Sequence, residues 1–197
     1  MRIIYIVGKS SVGKDTIYQI LKKKLNIKTY VMYTTRPIRT GEKNGVDYYY
    51  LQPEEMEKYI KKTDSKVMEY RTYNTVHGPW TYATIIDKQF DADEDMLMEG
   101  TLESYNGVRK YFANNEKVNL IPIYIEVDDG VRLERALKRE REQENPKYEE
   151  LCRRFLADSK DFSEEKIKES GITKRFQNNN IDECVQEILD YIKWFCT

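Results

Sequence analysis

The chain has 197 residues, 40% of them apolar, with 33 basic and 34 acidic side chains and a formal net charge of -1. That is enough for one domain with a closed core, and the charge balance excludes a general pull toward nucleic acid or an anionic membrane, so any basic site must be local. No run of roughly 18 apolar residues offers a membrane span and none reads as a secretion signal, while Cys152, Cys184 and Cys196 contain no CxxC pair; the reading is a cytoplasmic protein that begins at its first strand, with reduced packing thiols.

RIIYIV, Arg2 to Val7, is a buried strand, and Thr16 to Leu25 carries the apolar spacing Ile17, Ile20, Leu21 of a helix with lysines on its other side. Between them lies GKSSVGKDT. Gly8, Gly13 and Lys14 satisfy the GxxxxGK spacing in the context it needs, strand before and helix after. Glycines let successive N–H groups point inward, the helix N-terminus adds partial positive charge, and Lys14 supplies a point charge, so Gly8, Lys9, Ser10, Ser11, Val12, Gly13 and Lys14 are predicted to hold nucleotide phosphates, with the Thr16 hydroxyl beside them.

Asp15 stands where the spacing puts a metal-binding hydroxyl. A carboxylate about 4 Å from a phosphate charge is repelled by about 4 kcal/mol at an effective dielectric near 20, and a divalent cation between them reverses the sign. Two readings stay open: Asp15 is a Mg²⁺ ligand, or it only complements the helix N-terminus, worth about 0.3 to 1 kcal/mol.

Further strands are predicted at Thr29 to Tyr33, Met96 to Glu99, Leu120 to Val127 and Thr173 to Gln177, with helical patterns between most of them. This alternation predicts an α/β fold with a parallel sheet covered by helices on both faces. Two segments interrupt it. Residues 34–90 are rich in tyrosine, charge and turn residues, and residues 128–161 form a charged helical stretch broken near Asn145 and Pro146, read as a solvated hairpin laced with ion pairs.

Within the first interruption, TTRPIRTGEKNGVDYYYL places Arg36 and Arg39 around a proline and follows them with an Asn44-Gly45 turn that returns Tyr48 toward them, a clamp for an anionic group. The stretch resembles the nucleotide-acceptor signature of guanylate kinases at Thr34, Thr35, Arg36, Arg39, Gly41, Glu42, Gly45, Asp47, Tyr48 and Tyr50. The resemblance implies a P-loop NTPase three-layer fold with a parallel five-stranded core sheet, an acceptor-binding insertion and a helical lid. It implies that Arg36, Arg39 and Tyr48 bind the phosphate of GMP.

VMEY is similar to the family's Leu-Glu-Trp strand, which places Glu69 on the guanine N1 and N2 donors; a carboxylate can accept both. Tyr82 aligns with a phosphate-touching tyrosine and Thr84 with a guanine-contacting hydroxyl. The chain departs from the family at Met32, where a serine is expected, and at MEGTLESY, where Glu99, Thr101 and Glu103 are candidates for what remains of the second guanine-reading acid. His77, the one histidine, is read as a loop residue rather than a base, since phosphoryl transfer is mostly positioning and charge stabilisation.

LERALKR and RRFLA resemble the two lid helices. Arg135 and Arg139 lie one helical turn apart on one face, and the resemblance puts Arg139 and Arg154 on the transferring phosphoryl with Arg135 beside them. FQNNN resembles the strand that brings an asparagine, here Asn178, near adenine. The implied layout is one domain: core 1–33, 91–127 and 162–197, acceptor-binding region 34–90, lid 128–161. The implied activity is transfer of a phosphoryl group from ATP, with Mg²⁺, to GMP or dGMP, with Lys14, Arg36, Arg135, Arg139 and Arg154 as catalytic residues and Asp15 at the metal. Partners are small nucleotides, with no nucleic acid or membrane, in a monomer or homodimer. The alternatives are a phosphorylated sugar or other nucleotide as acceptor, and a guanylate-kinase-like binding module without catalysis.

Overall fold

The computed structural model describes residues 1–39, 41–61, 66–75, 78–91 and 93–195. Its centre is a parallel sheet in the order β2-β7-β1-β8-β9, built from β1 (Arg2–Val7), β2 (Lys28–Thr29), β7 (Met96–Gly100), β8 (Asn119–Glu126) and β9 (Arg175–Gln177). β1 is buried on both faces because its apolar run is continuous rather than alternating. Ile3, Tyr5 and Val7 face one core with Met96, Met98 and helix α3 (Leu102–Tyr111), whereas Ile4 and Ile6 face the other with Ile17 and Leu21 of α1 (Lys14–Leu25) and Ile188 of α7 (Ile181–Trp194). Helices on both faces make the three-layer α/β architecture that the alternation predicted.

Pro122 lies within β8, opposite Tyr5 of β1. Its missing N–H is tolerated because β9 pairs only with Tyr124 to Glu126, leaving the other edge of β8 without a strand at that level.

The expected strand Thr29 to Tyr33 is divided. Lys28 and Thr29 join the core sheet, but Tyr33 and Thr34 form β3 in a second sheet, ordered β4-β3-β6-β5 with β4 (Tyr49–Tyr50), β5 (Val67–Thr75) and β6 (Gly78–Ile85). At the crossover, the Gln89 side chain takes the place of a neighbouring strand: it accepts from Val31 N at 3.0 Å and donates to Val31 O at 3.2 Å. The buried Tyr30 hydroxyl then ties the two sheets, donating to Ile85 O and accepting from Ile85 N, both at 2.7 Å. Helix α2 (Pro53–Lys61) closes a small third core of Tyr33, Met56, Ala83 and Ile85.

Residues 128–161 form α4 (Asp129–Arg141) and α5 (Tyr148–Asp161), which pack on one another, and α6 (Glu164–Glu169) leads back to β9. The first helix of the chain starts at Lys14, two residues before the expected Thr16, directly after a left-handed Gly13 with φ 94°. Cys184 is buried and free; Cys152 corrects the packing expectation, since it stands exposed on α5. Cys196 and His77 lie outside the described residues. Among the described residues no helix is long and apolar enough to cross a membrane.

Candidate active site

The phosphate loop runs from the end of β1 into α1. Gly8 is required by contact: a Cβ there would stand 2.6 Å from Ile125 O of β8. Gly13 is required twice, by its positive φ and by Asn178, whose Nδ2 would lie 2.5 Å from an added Cβ. Asn178 itself is buried, donating from Nδ2 to Val12 O at 2.8 Å and from its backbone N–H to Glu126 O at 2.9 Å. It therefore braces the loop from behind.

Lys14 Nζ donates to Lys9 O at 3.0 Å, and burial holds its ammonium below the ordinary lysine range. Asp15 and Thr16 are exposed in the first turn of α1. Glu99, at the end of β7, has a buried Oε2 without a hydrogen-bond partner, and burial together with the charge of Asp15 pushes its carboxyl up to about 7 against the opposing pull of Lys14. Glu99 also adds to the raised pKa of Tyr48, where burial is the larger cause.

In the segment that follows β3, Arg36 is buried and held in a fork by Glu42, with Nη2 to Oε1 at 2.9 Å and Nη1 to Oε2 at 3.0 Å. Glu42 also accepts from the Tyr50 hydroxyl at 2.7 Å and from Arg39 N at 2.8 Å. The Arg36 guanidinium lies 5.4 Å from the Tyr48 ring centre, and the Tyr48 ring meets that of Tyr82 edge-on at 5.8 Å. Arg39 is exposed at the rim.

β5 carries the next group. A register shift between Val67 and Glu69 brings Glu69 opposite Thr84 of β6, and the Thr84 hydroxyl donates to Glu69 Oε1 at 2.6 Å. Gly107 of α3 backs this carboxylate so closely that a Cβ on Gly107 would overlap Glu69 Cβ. Thr101 caps α3, accepting from Ser104 N, and Glu103 is exposed in the first turn. Of the three candidates, Glu99 is the half-buried carboxylate whose Oε2 is covered, and it is coupled electrostatically to Asp15 and Lys14.

Helix α4 reaches the loop. Arg139 Nη2 donates to Ser11 Oγ at 3.3 Å, and Arg135 Nη2 donates to Asn178 O at 3.1 Å. Arg154 is exposed and donates to Glu150 Oε1 at 2.8 Å, a carboxylate it shares with Arg153.

Four residues of this arrangement escaped the sequence reading. Arg132, fully buried, stacks 4.2 Å from the Phe155 ring centre and joins Ser10 O to Asp158, which in turn accepts from Ser10 N. Its signal was its place three residues before Arg135, which puts it near the inner face of α4. Arg71 stands two residues after Glu69 and shares its strand face, a placement that alternation alone could have flagged. Asp158 and Gly107 carried no signal, because their partners are distant in sequence.

The guanylate kinase family model matches residues 1–194. The chain is 27% identical to the guanylate kinase of Fusobacterium nucleatum, over 96% of this chain and 95% of that protein. It is 29% identical to the guanylate kinase of Mycoplasma mobile, over 98% and 92% respectively. In fold it resembles the crystal structure of guanylate kinase from Anaplasma phagocytophilum, with a TM-score of 0.62 at 17% identity over 97% of this chain and 84% of that one. With a phosphate loop, an arginine-tyrosine cluster and this match over nearly its whole length, the chain belongs to the guanylate kinase family.

Proposed function

We propose that the protein transfers a phosphoryl group from ATP to GMP or dGMP, giving ADP and GDP or dGDP. The observations that carry this reading are the phosphate loop at Gly8 to Lys14, the Arg36–Glu42–Tyr48 cluster and the family match over residues 1–194. A phosphate loop and an arginine-tyrosine cluster in one domain are the two parts that transfer between two phosphates needs. The division of labour follows: residues 1–33, 91–127 and 162–197 serve as core, 34–90 as acceptor-binding region and 128–161 as lid.

On the donor side, the amides of Lys9 to Lys14 and the N-terminus of α1 would bind the ATP phosphates, with Lys14 leaving Lys9 O for them and Asn178 keeping the loop in shape. The residues around Lys14 fit a nucleotide-borne Mg²⁺, because Glu99 has an unpartnered buried oxygen and Asp15 adds a second carboxylate. Such an ion needs only one or two protein ligands beside phosphate and water, and among the described residues no cluster of three or more metal-type side chains forms a cage. When bound, Mg²⁺ supplies neutralisation of the charge on the outer phosphates.

On the acceptor side, Arg36 is oriented in advance by Glu42, and Arg39, Tyr48 and Tyr82 complete a phosphate site, while Glu69 and Thr84 face the base. Arg135, Arg139 and Arg154 would converge as the lid closes and excludes water, which otherwise competes as acceptor. An arginine that stabilises the transferring charge is worth roughly 10³-fold or more in turnover. The reading is of a cytoplasmic enzyme of free nucleotides, monomeric or homodimeric. It is tested by measuring ADP formation with GMP, dGMP, AMP, CMP and UMP, with and without Mg²⁺. GMP-dependent, Mg²⁺-dependent turnover is expected, and its absence overturns the reading.

A further inference from the structure

Two residues other than glycine have a positive φ among the described residues, Ser11 at 64° and Asn26 at 47°. Asn26 closes α1, where asparagine is a common left-handed cap. Ser11 lies in the middle of the phosphate loop, and its Cβ crowds the backbone there as a glycine would not. Strain of this kind persists only where the surroundings fix it, and it gathers at sites of function.

The surroundings fix the loop on both sides of Ser11. Ser10 N donates to Asp158 Oδ2 at 2.8 Å and Ser10 O accepts from Arg132 Nη1 at 3.3 Å, while Val12 O accepts from Asn178 Nδ2 at 2.8 Å. None of these bonds uses the Ser11 side chain, so glycine would fit the same loop without strain. What serine adds is its hydroxyl, and that hydroxyl meets α4: Arg139 Nη2 donates to Ser11 Oγ at 3.3 Å. Because the oxygen accepts in this bond, its own O–H stays available. Among the described residues no carboxylate pairs with Arg139, whereas Arg132 is held by Asp129 and Asp158 and Arg154 by Glu150. The direction of the Arg139 guanidinium is therefore set by Ser11.

We propose that Ser11 is a positioning residue for phosphoryl transfer, whose hydroxyl holds the Arg139 guanidinium at the phosphate loop and keeps its own O–H to donate to a phosphate oxygen. The proposal rests on the reading of the protein as a nucleotide kinase. It accounts for a serine at a left-handed position, since glycine there would leave Arg139 without an anchor.

Ser11→Gly removes the hydroxymethyl group and the strain together, so a purely structural role predicts a variant at least as stable and as active as wild type. The proposal predicts a split instead. The melting temperature should lie at the wild-type value or up to about 4 °C above it, while kcat falls about 10-fold with the KM for GMP unchanged. Ser11→Ala, which keeps Cβ and the strain, is the second variant and should be equally slow. Arg139→Met reads the coupling: it should slow Ser11→Gly about 10-fold less than it slows wild type. Calorimetric ATP titration of wild type, the two single variants and the double variant should show the same non-additivity without needing an acceptor. Wild-type turnover in Ser11→Gly, or an Arg139→Met effect of equal size on both backgrounds, overturns the proposal. Wild-type protein that turns over no guanine nucleotide overturns the kinase reading instead, and the ATP titrations then decide by themselves whether Ser11 holds Arg139.

Discussion

Asp158 of α5 holds the phosphate loop directly: its Oδ2 accepts the backbone N–H of Ser10 at 2.8 Å and Arg132 Nη1 at 2.9 Å. A carboxylate thus occupies one of the loop amides that would otherwise face phosphate, and the buried Arg132 supplies its counter-charge. In Asp158→Asn the contact keeps an acceptor but loses the charge. Affinity for ATP should rise about 3- to 10-fold as repulsion of the phosphates is removed. Melting temperature should fall by several degrees, because a buried arginine loses an ionic partner. Calorimetric ATP titration and a thermal melt check both, and weaker ATP binding would show that the carboxylate supports the loop instead of competing for it.

Glu42 is the residue that aims Arg36. Burial opposes its charge, but hydrogen bonds from Arg36, Tyr50 and the Arg39 amide outweigh that and hold the carboxyl down at about 2. A depressed carboxyl pKa contributes stability above the unfolded value and loses it as pH falls through the folded one. Glu42→Gln should therefore cost about 2 to 3 kcal/mol near pH 7, with the difference from wild type shrinking between about pH 4.5 and 2. GMP KM should rise at least 10-fold with ATP affinity unchanged, as the guanidinium loses its fixed direction. Denaturant melts at several pH values and steady-state kinetics measure the two effects.

Glu99 has the opposite sign. With its carboxyl raised to about 7 by burial and Asp15, the folded protein binds a proton that the unfolded chain has released above about pH 4.5. Its contribution to apo stability is full at low pH and is lost as pH rises through 7. Glu99→Gln should thus be about 2 to 3 kcal/mol more stable than wild type at pH 8 and indistinguishable near pH 4.5. Mg²⁺-dependent turnover of wild type should fall below pH 7, and Glu99→Gln should lose that pH dependence along with most of its activity.

Gly107 offers a local test of the base-binding role proposed for Glu69. Glycine to alanine inside a helix ordinarily stabilises by about 1 kcal/mol. Here the new methyl would overlap Glu69 Cβ, and overpacking costs about 1 to 3 kcal/mol. Gly107→Ala should melt lower than wild type and raise the GMP KM while leaving ATP affinity unchanged, read by thermal melt, kinetics and ATP titration.

The sequence by itself determined the elements that repeat a short-range pattern. The continuous apolar run of β1, the GxxxxGK spacing and the helical periodicity of α1 and α4 each follow from steric and hydrophobic rules acting over a few residues, and together they specify a three-layer α/β protein with a phosphate loop. The acceptor stretch was legible for a different reason, its residue-by-residue resemblance to a family. Tertiary structure alone decided what depends on distant partners. Whether the chain from Thr29 to Tyr33 stays in one sheet depended on Gln89, more than fifty residues away, satisfying the backbone of Val31. That Glu99 is coupled electrostatically to Lys14, that Arg71 shares the Glu69 carboxylate and that Asp158 lies on Ser10 are likewise settled by how strands and helices meet. Burial and the pairing of charges are properties of the packed chain, because desolvation and Coulomb interaction depend on distances through space that local sequence pattern does not encode.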